Sequence, residues 1–308
     1  LFAVYSIITF YHFFPFAKAD QASIKQKLLS FADGDQTLGG LVLLSDEGIN
    51  LSVASERGTE EEIFDAVAAL SDLSKTLVKR HSTDSSPFRR LTVDYRQELI
   101  TYQGTASAGN PTLFEGTNHT HLSPEEWHAL LSSGEPLTLI DTRNRYEVEI
   151  GTFDHAINPE IDRFSEFPEY LDSNPPPKDR PVLIFCTGGV RCEKAAIDLT
   201  SRGYRDVYQL HGGILAYMEQ FPEGKFTGEC FVFDHRVAVK GDLSASTRWH
   251  LCRMCGEPSE QSIACANCNT VAPVCPRCAE IPEQNACSKN CSYHIGRRGN
   301  GDSSQCAA

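Results

Sequence analysis

The residues best equipped for chemistry lie in one hexapeptide, Cys186-Thr187-Gly188-Gly189-Val190-Arg191. It follows the apolar run Val182-Leu183-Ile184-Phe185 directly and leads into a helical pattern. In an open parallel sheet, ligands bind beyond the carboxyl ends of the strands. A short loop with two glycines can turn its backbone N–H groups inward as an anion nest, which Arg191 and a helix N-terminus reinforce. A cysteine in that field is expected to be thiolate-prone and nucleophilic. Cys192, next in the chain, has two readings. It is either a thiol that resolves an oxidised Cys186 as a disulfide or a small packing residue of the helix.

The other cysteines follow a different spacing. Of twelve in the chain, none precedes Cys186 and eight fall between Cys252 and Cys291. They form Cys252-x2-Cys255, Cys265-x2-Cys268, Cys275-x2-Cys278 and Cys287-x3-Cys291. Each pair can place two thiolates on one metal, and eight thiolates close two tetrahedral sites. Two structural zinc ions are therefore expected, with no open position for catalysis. Sequential and interleaved pairings are equally compatible with the spacing, and His294 could replace Cys291. Cys306, in a polar tail, has no partner in that count. Residues 252–295 hold few apolar side chains, so metal is expected to supply most of their folding free energy. Such clustering points to metal in a reducing compartment, the cytoplasm, rather than to a secreted disulfide scaffold.

Charge limits the partners. The 308 residues include 28 Lys and Arg against 41 Asp and Glu, a net charge of −13. A protein that coats nucleic acid indiscriminately would be basic overall. Residues 121–224 carry 9 basic and 18 acidic side chains, whereas 225–308 carry 9 and 8. One stretch runs against the acidity: Lys75, Lys79, Arg80, Arg89, Arg90 and Arg96, opposed only by Asp84 and Asp94. If these share a face, Lys79, Arg80, Arg89 and Arg90 form an RNA phosphate-binding patch. The alternative is a solvated strand and loop. Arg248, Arg253, Arg277, Arg297 and Arg298 offer a second cationic surface.

These groups need a scaffold, and the residue pattern outlines one. No uncharged apolar run reaches about 18 residues, so a membrane span is not expected. The first sixteen residues are apolar, and Ala17-Lys18-Ala19 imitates a signal-peptidase site. No basic segment precedes them, so they read as a buried first strand. A helix follows over 20–31, capped by Asp20, then strands at 39–44 and 50–54 joined by a turn at Asp46-Glu47-Gly48. Thr59 and Glu62 predict a capping box for a helix reaching about residue 70. A last strand falls within 89–95. The order βαββαβ is ferredoxin-like. Residues 103–120, with Gly104, Gly109, Gly116 and Pro111, read as a linker, and the sequon Asn118-His119-Thr120 in it as chance. Beyond it, Ser123 caps a helix with Pro124 at its first position. Strands at 137–141, 182–185 and 207–210, with a helix over about 192–202, imply a parallel α/β sheet. The expected division is 1–102, 103–120, 121–224 and 225–308, with the zinc-binding pairs at about 252–295.

Cys186, Gly189 and Arg191 match the rhodanese pattern Cys-x-x-Gly-x-Arg, and the loop is one residue shorter than one that encloses phosphate. The region 137–214 resembles a rhodanese domain, in which Cys186 would carry a persulfide. A wider resemblance rests on EGIN (47–50), DTRNRYEVEIGTF (141–153), FCTGGVRCEKA (185–195), HGGI (211–214) and GECFVFDHRVAV (228–239), in that order. Together they resemble the rhodanese domain-containing tRNA uridine hydroxylase family. That resemblance implies a ferredoxin-like domain joined to a rhodanese domain. It also implies tRNA as substrate, molecular oxygen as co-substrate, 5-hydroxylation of the wobble uridine, and Cys186 as the required cysteine. No flavin, haem or iron-triad motif is evident. Thiolate addition at C6 of the base and oxygen use by a Cys186 persulfide or sulfenate are both open routes. A sulfurtransferase and a non-enzymatic zinc-binding adaptor are the competing functions. Cys186 and its complete loop argue against the adaptor.

Overall fold

The computed structural model of the protein describes residues 4–74, 76–104 and 120–299. Lys75, Cys306, Asn118, His119 and most of the expected linker lie outside the described residues. The chain divides into two compact units, Leu1–His235 with Val239–Ser244, and Arg236–Ala238 with Ala245–Ala308.

The first unit contains two sheets. One is built from β1 (Tyr5–Phe13), β2 (Gly39–Ser45), β3 (Gly48–Ser55), β4 (Lys79–Thr83) and β5 (Leu91–Tyr95), in the order β4-β1-β3-β2-β5. β1 runs antiparallel to β3 and β4, and β2 antiparallel to β3. That is the ferredoxin-like arrangement. The apolar opening segment becomes an interior strand, with Ile7, Ile8 and Phe10 buried. Helices α1 (Lys18–Gly34) and α2 (Thr59–Ala68) lay Ile24, Leu28, Ile63 and Val67 against Phe10, Val42, Leu44, Leu51 and Val53.

Three local expectations need correction. The strand that closes the ferredoxin-like order is β4, not the segment at 89–95. β5 does form there, but as a fifth strand parallel to β2 on the far edge. β4 reads Lys-Arg-His-Ser-Thr and lies at an edge, so no apolar alternation marks it. α1 starts behind Ala17 without a side-chain cap, and Asp20 sits in its first turn instead, where its charge favours the helix dipole. α2 lacks its capping box: Thr59 Oγ1 donates to Asp35 Oδ2 at 2.7 Å, and Ser55 Oγ accepts from Thr59 N–H at 3.0 Å.

The second sheet is parallel, ordered β6 (Thr120–Leu122), β10 (Val207–Leu210), β9 (Val182–Phe185), β7 (Thr138–Asp141). Between them run α3 (Pro124–Ser132), α4 (Arg145–Val148), β8 (Gly151–Phe153), α5 (Phe167–Ser173) and α6 (Val190–Ser201), with α7 (Gly213–Gln220) following β10. Ser123 Oγ accepts from Glu126 N–H at 3.2 Å and Glu126 Oε2 from Ser123 N–H at 2.8 Å, a complete box at α3. β9 is interior and all four of its residues are buried, with apolar clusters on either side of the sheet. It therefore delivers Cys186 to a fixed point.

The two sheets are joined by buried charge. Lys194 Nζ of α6 lies 2.6 Å from Glu98 and 3.1 Å from Glu47, and Tyr102 donates its hydroxyl to Asp198 at 2.7 Å. No helix among the described residues is long and apolar enough to cross a membrane. The second unit holds two short hairpins, His250–Leu251 with Pro258–Ser259 and Ser262–Ala264 with Val271–Pro273, and helices at Pro276–Ala279 and Lys289–Gly299. Its two small buried clusters are built around cysteines.

Candidate active site and metal centres

Between the end of β9 and the start of α6 the loop has only residues 186–189. Its carbonyls are held from below by α7: Ile214 N–H donates to Cys186 O at 3.0 Å and Leu215 N–H to Thr187 O at 3.2 Å. A Cβ on Gly213 would meet those two carbonyl oxygens at 2.5 and 2.6 Å, and its φ is +67°. Glycine there is what allows α7 to approach. The amides are left to face the sulfur, and Gly189 N–H donates to Cys186 Sγ at 3.0 Å.

Burial alone would push the Cys186 thiol up. The hydrogen bond from Cys192, the charge of Arg191, and the backbone N–H groups of Arg191 and Gly189 outweigh it and bring the thiol down to about 5. The sulfur is then an anion at neutral pH. Cys192 moves the other way, because burial and its bond to Cys186 both raise it well above the ordinary thiol value. It is the S–H donor of the pair, and the Thr142 hydroxyl lies 3.7 Å from its sulfur.

Arg191 does not stand alone in the nest. Its two terminal nitrogens reach Glu147 at 2.6 and 2.7 Å, and both side chains are buried. Burial pushes the Glu147 carboxyl up, but Arg191 pulls it below the usual carboxylate range. Glu147 belongs to the 141–153 motif, yet its pairing could not be read from spacing. A second buried pair steadies that segment: Arg143 Nη2 donates to Asp141 Oδ2 and to Gly151 O, both at 2.6 Å.

The other wall of the loop comes from the first sheet. Lys79 Nζ of β4 donates to Gly188 O at 2.9 Å. The residue is half-buried. Tyr11 of β1 sits beside Gly189, where a Cβ would lie 2.8 Å from its hydroxyl. That hydroxyl donates to Glu193 Oε1 at 2.8 Å, which also accepts from Gln209 Nε2 at 2.7 Å and lies 3.0 Å from His121 Nε2. No sequence signal links Tyr11 or Lys79 to the loop, since those contacts cross domains.

The four basic residues read as one patch are not together. Lys79 and Arg80 sit on β4 and Arg89 and Arg90 precede β5, at opposite edges of a five-stranded sheet. Lys79 points at the loop, and Arg80 pairs with Glu61 at 2.8 Å. Arg89 and Arg90 are exposed. In the second unit Arg248 pairs with Glu260 and Arg277 with Glu257.

The eight paired cysteines gather into two groups: Cys252, Cys255, Cys275 and Cys278, and Cys265, Cys268, Cys287 and Cys291. The pairing is interleaved. Within each group the sulfurs lie within 4.8 Å of one another, with separations of 3.7 Å for Cys255–Cys275 and 3.5 Å for Cys268–Cys287. Tetrahedral zinc at about 2.3 Å from each sulfur requires S···S edges of about 3.8 Å. Both groups fit such an ion, and His294 belongs to neither.

The parallel sheet with its cysteine loop defines a rhodanese-like domain, flanked by an acylphosphatase-like domain and a cysteine-rich region. Family models match accordingly: the UPF0176 acylphosphatase like domain over residues 5–99, the rhodanese-like domain over 123–220 and rhodanase C-terminal over 227–292. The sequence is 41% identical to a tRNA uridine(34) hydroxylase of Bdellovibrio bacteriovorus, across 92% of this chain and 80% of that one. It is 39% identical to one of Picosynechococcus sp., across 89% and 90%. A solved rhodanese-like domain protein from Staphylococcus aureus aligns at 26% identity over 32% of this chain and 90% of its own, with a TM-score of 0.28. The chain belongs to the tRNA uridine(34) hydroxylase family.

Proposed function

We propose that the protein hydroxylates C5 of uridine 34 in tRNA with molecular oxygen, and that the Cys186 thiolate is the reacting group. The carrying observation is the anionic Cys186 loop in a chain 41% identical to a tRNA uridine(34) hydroxylase over most of both lengths. Insertion of one oxygen atom at C5 leaves the second to be reduced to water by two electrons and two protons. Conversion of the Cys186 thiolate and the Cys192 thiol to a disulfide supplies both electrons and one proton, solvent supplies the other proton, and an external thiol resets the pair. The hydrogen bond between Cys192 and Cys186 supports that role for Cys192. A wobble base already in a single-stranded loop reaches a buried sulfur at lower cost than a paired one.

The two cysteine groups would each hold one structural zinc ion, supplying folding free energy rather than chemistry. A tRNA substrate and reduced thiolate ligands both support a cytoplasmic location.

The test is nucleoside analysis of tRNA from a strain lacking the gene, complemented with variants. Wild type should restore 5-hydroxyuridine at position 34, Cys186→Ser should restore none, and Cys192→Ser should fall at least tenfold. Full restoration by Cys186→Ser removes the thiolate from the reaction. Sulfur transfer from thiosulfate to cyanide, measured alongside, reports a sulfurtransferase instead.

A further inference from the structure

The charges around Cys186 do not balance as the loop motif alone implies. Arg191 is the cation the motif supplies, but Glu147 grips it with two short hydrogen bonds, and the buried pair is neutral overall. A further positive group reaches the loop from outside the rhodanese-like domain. Lys79 Nζ bonds Gly188 O at 2.9 Å, and its stem lies along Gly212, whose added Cβ would meet Lys79 Cε at 3.5 Å. Gly188 is the third residue of the loop, two positions from Cys186. β4 is held on β1 by the Thr9↔Lys79 and Ile8↔Arg80 register, so the ammonium is aimed by a sheet rather than by a loose chain.

We propose that Lys79 is a positioning residue of the Cys186 site: its ammonium anchors the loop through Gly188 and adds to the positive charge that Arg191 brings to the sulfur anion. The active loop is thus completed by the N-terminal domain. The inference rests on Cys186 being the reacting thiolate. It does not depend on which reaction the thiolate performs.

The surroundings of both groups are mixed. Around Lys79 lie Cys186, Cys230, Glu219 and His211; around Cys186 lie Arg191 and Cys192 of α6 and Tyr11 of β1. Burial brings the Lys79 ammonium down to about 8, while the neighbouring Cys186 holds it up. Its charge is therefore present at neutral pH and is lost as pH rises through about 8. His211 is lowered by burial and by the charges of His121 and Lys79, so it adds no competing cation near neutrality.

The experiment is the pH dependence of iodoacetamide alkylation at Cys186, read by mass spectrometry of its peptide in the full-length metal-loaded protein. Wild type should alkylate along a titration near pH 5. Lys79→Met removes charge and anchor, whereas Lys79→Gln keeps a donor for Gly188 O but no charge. Both should shift the titration upward by at least one unit, slowing alkylation at pH 5.5 about threefold or more with little change at pH 9. Lys79→Arg should return it towards wild type. An unshifted titration in a folded Lys79→Gln protein overturns the proposal, whatever Lys79→Met does to folding. A wild-type titration near the ordinary thiol value would instead overturn the reactive-thiolate reading on which it rests.

Discussion

Glu147 sets the charge balance at the Cys186 loop, whose Thr187 hydroxyl lies 3.5 Å from its Oε1. It neutralises Arg191, and that pair is buried beneath the loop. Removing one partner of a buried ion pair costs about 3–5 kcal/mol, because the other charge is left unpaired. Glu147→Gln should lose that much in urea denaturation at pH 7. Its folded carboxyl lies below the ordinary value of 4.5, so its stabilisation is complete above that pH and disappears as pH falls through the lower folded value. Wild type should lose stability over that acid range and the Gln variant should lack this contribution to the slope. The same substitution frees the Arg191 charge, so the Cys186 alkylation titration should move down. Cys186, Gly189 and Arg191 were legible because their chemistry depends on neighbours in the chain. Glu147, Tyr11 and Lys79 were not, since each meets the loop only through folding.

Elements explain why some expectations held and others failed. β9 is apolar throughout, since both its faces are buried, and it was readable for that reason, whereas β6, a short and largely exposed Thr-His-Leu edge strand, was not. β4 is an edge strand whose polar residues look like a loop, so its role in aiming Lys79 was hidden. The interface of α7 with the cysteine loop yields a sharper test. Gly213→Ala puts a Cβ against two backbone oxygens that cannot move aside cheaply, at a φ of +67°. It should cost about 1–3 kcal/mol in thermal or chemical denaturation, and it should slow Cys186 alkylation at pH 6. Gly34→Ala, with open space around it, should do neither. Separating Arg89 and Arg90 from Arg80 also changes the RNA expectation. Arg89→Ala with Arg90→Ala should flatten the salt dependence of tRNA binding by up to about two log–log units, while Arg80→Ala, already paired with Glu61, should leave it unchanged. Filter binding over a salt series reads both.

Over the whole molecule, stability is invested in two kinds of junction. Lys194 lies between Glu47 and Glu98 and binds α6 to the first sheet. Burial already raises the Glu47 carboxyl, against the pull of Lys194. Without that ammonium it should rise further. The unfolded chain then sheds a proton that the folded chain keeps, so stability falls as pH rises towards the folded value. Lys194→Met should therefore lose about 3–5 kcal/mol, with a deficit that widens in denaturation curves as pH rises above the ordinary carboxylate value of 4.5. The cysteine groups are the other junction, and elemental analysis should find two zinc ions per chain. Their ligands were legible from spacing, but the choice of partners was not, since spacing says nothing of which pairs meet in space. That choice has a consequence for how the protein is made. Four pairs can be divided between two sites in three ways. As the chain leaves the ribosome, Cys252-Cys255 and Cys265-Cys268 emerge before their proper partners. An ion that captures both at once would assemble the wrong site. Correct loading must wait for Cys275-Cys278, or such a premature complex must dissolve. If the groups hold zinc, metallation should therefore come late in synthesis, and free zinc early on should hinder it.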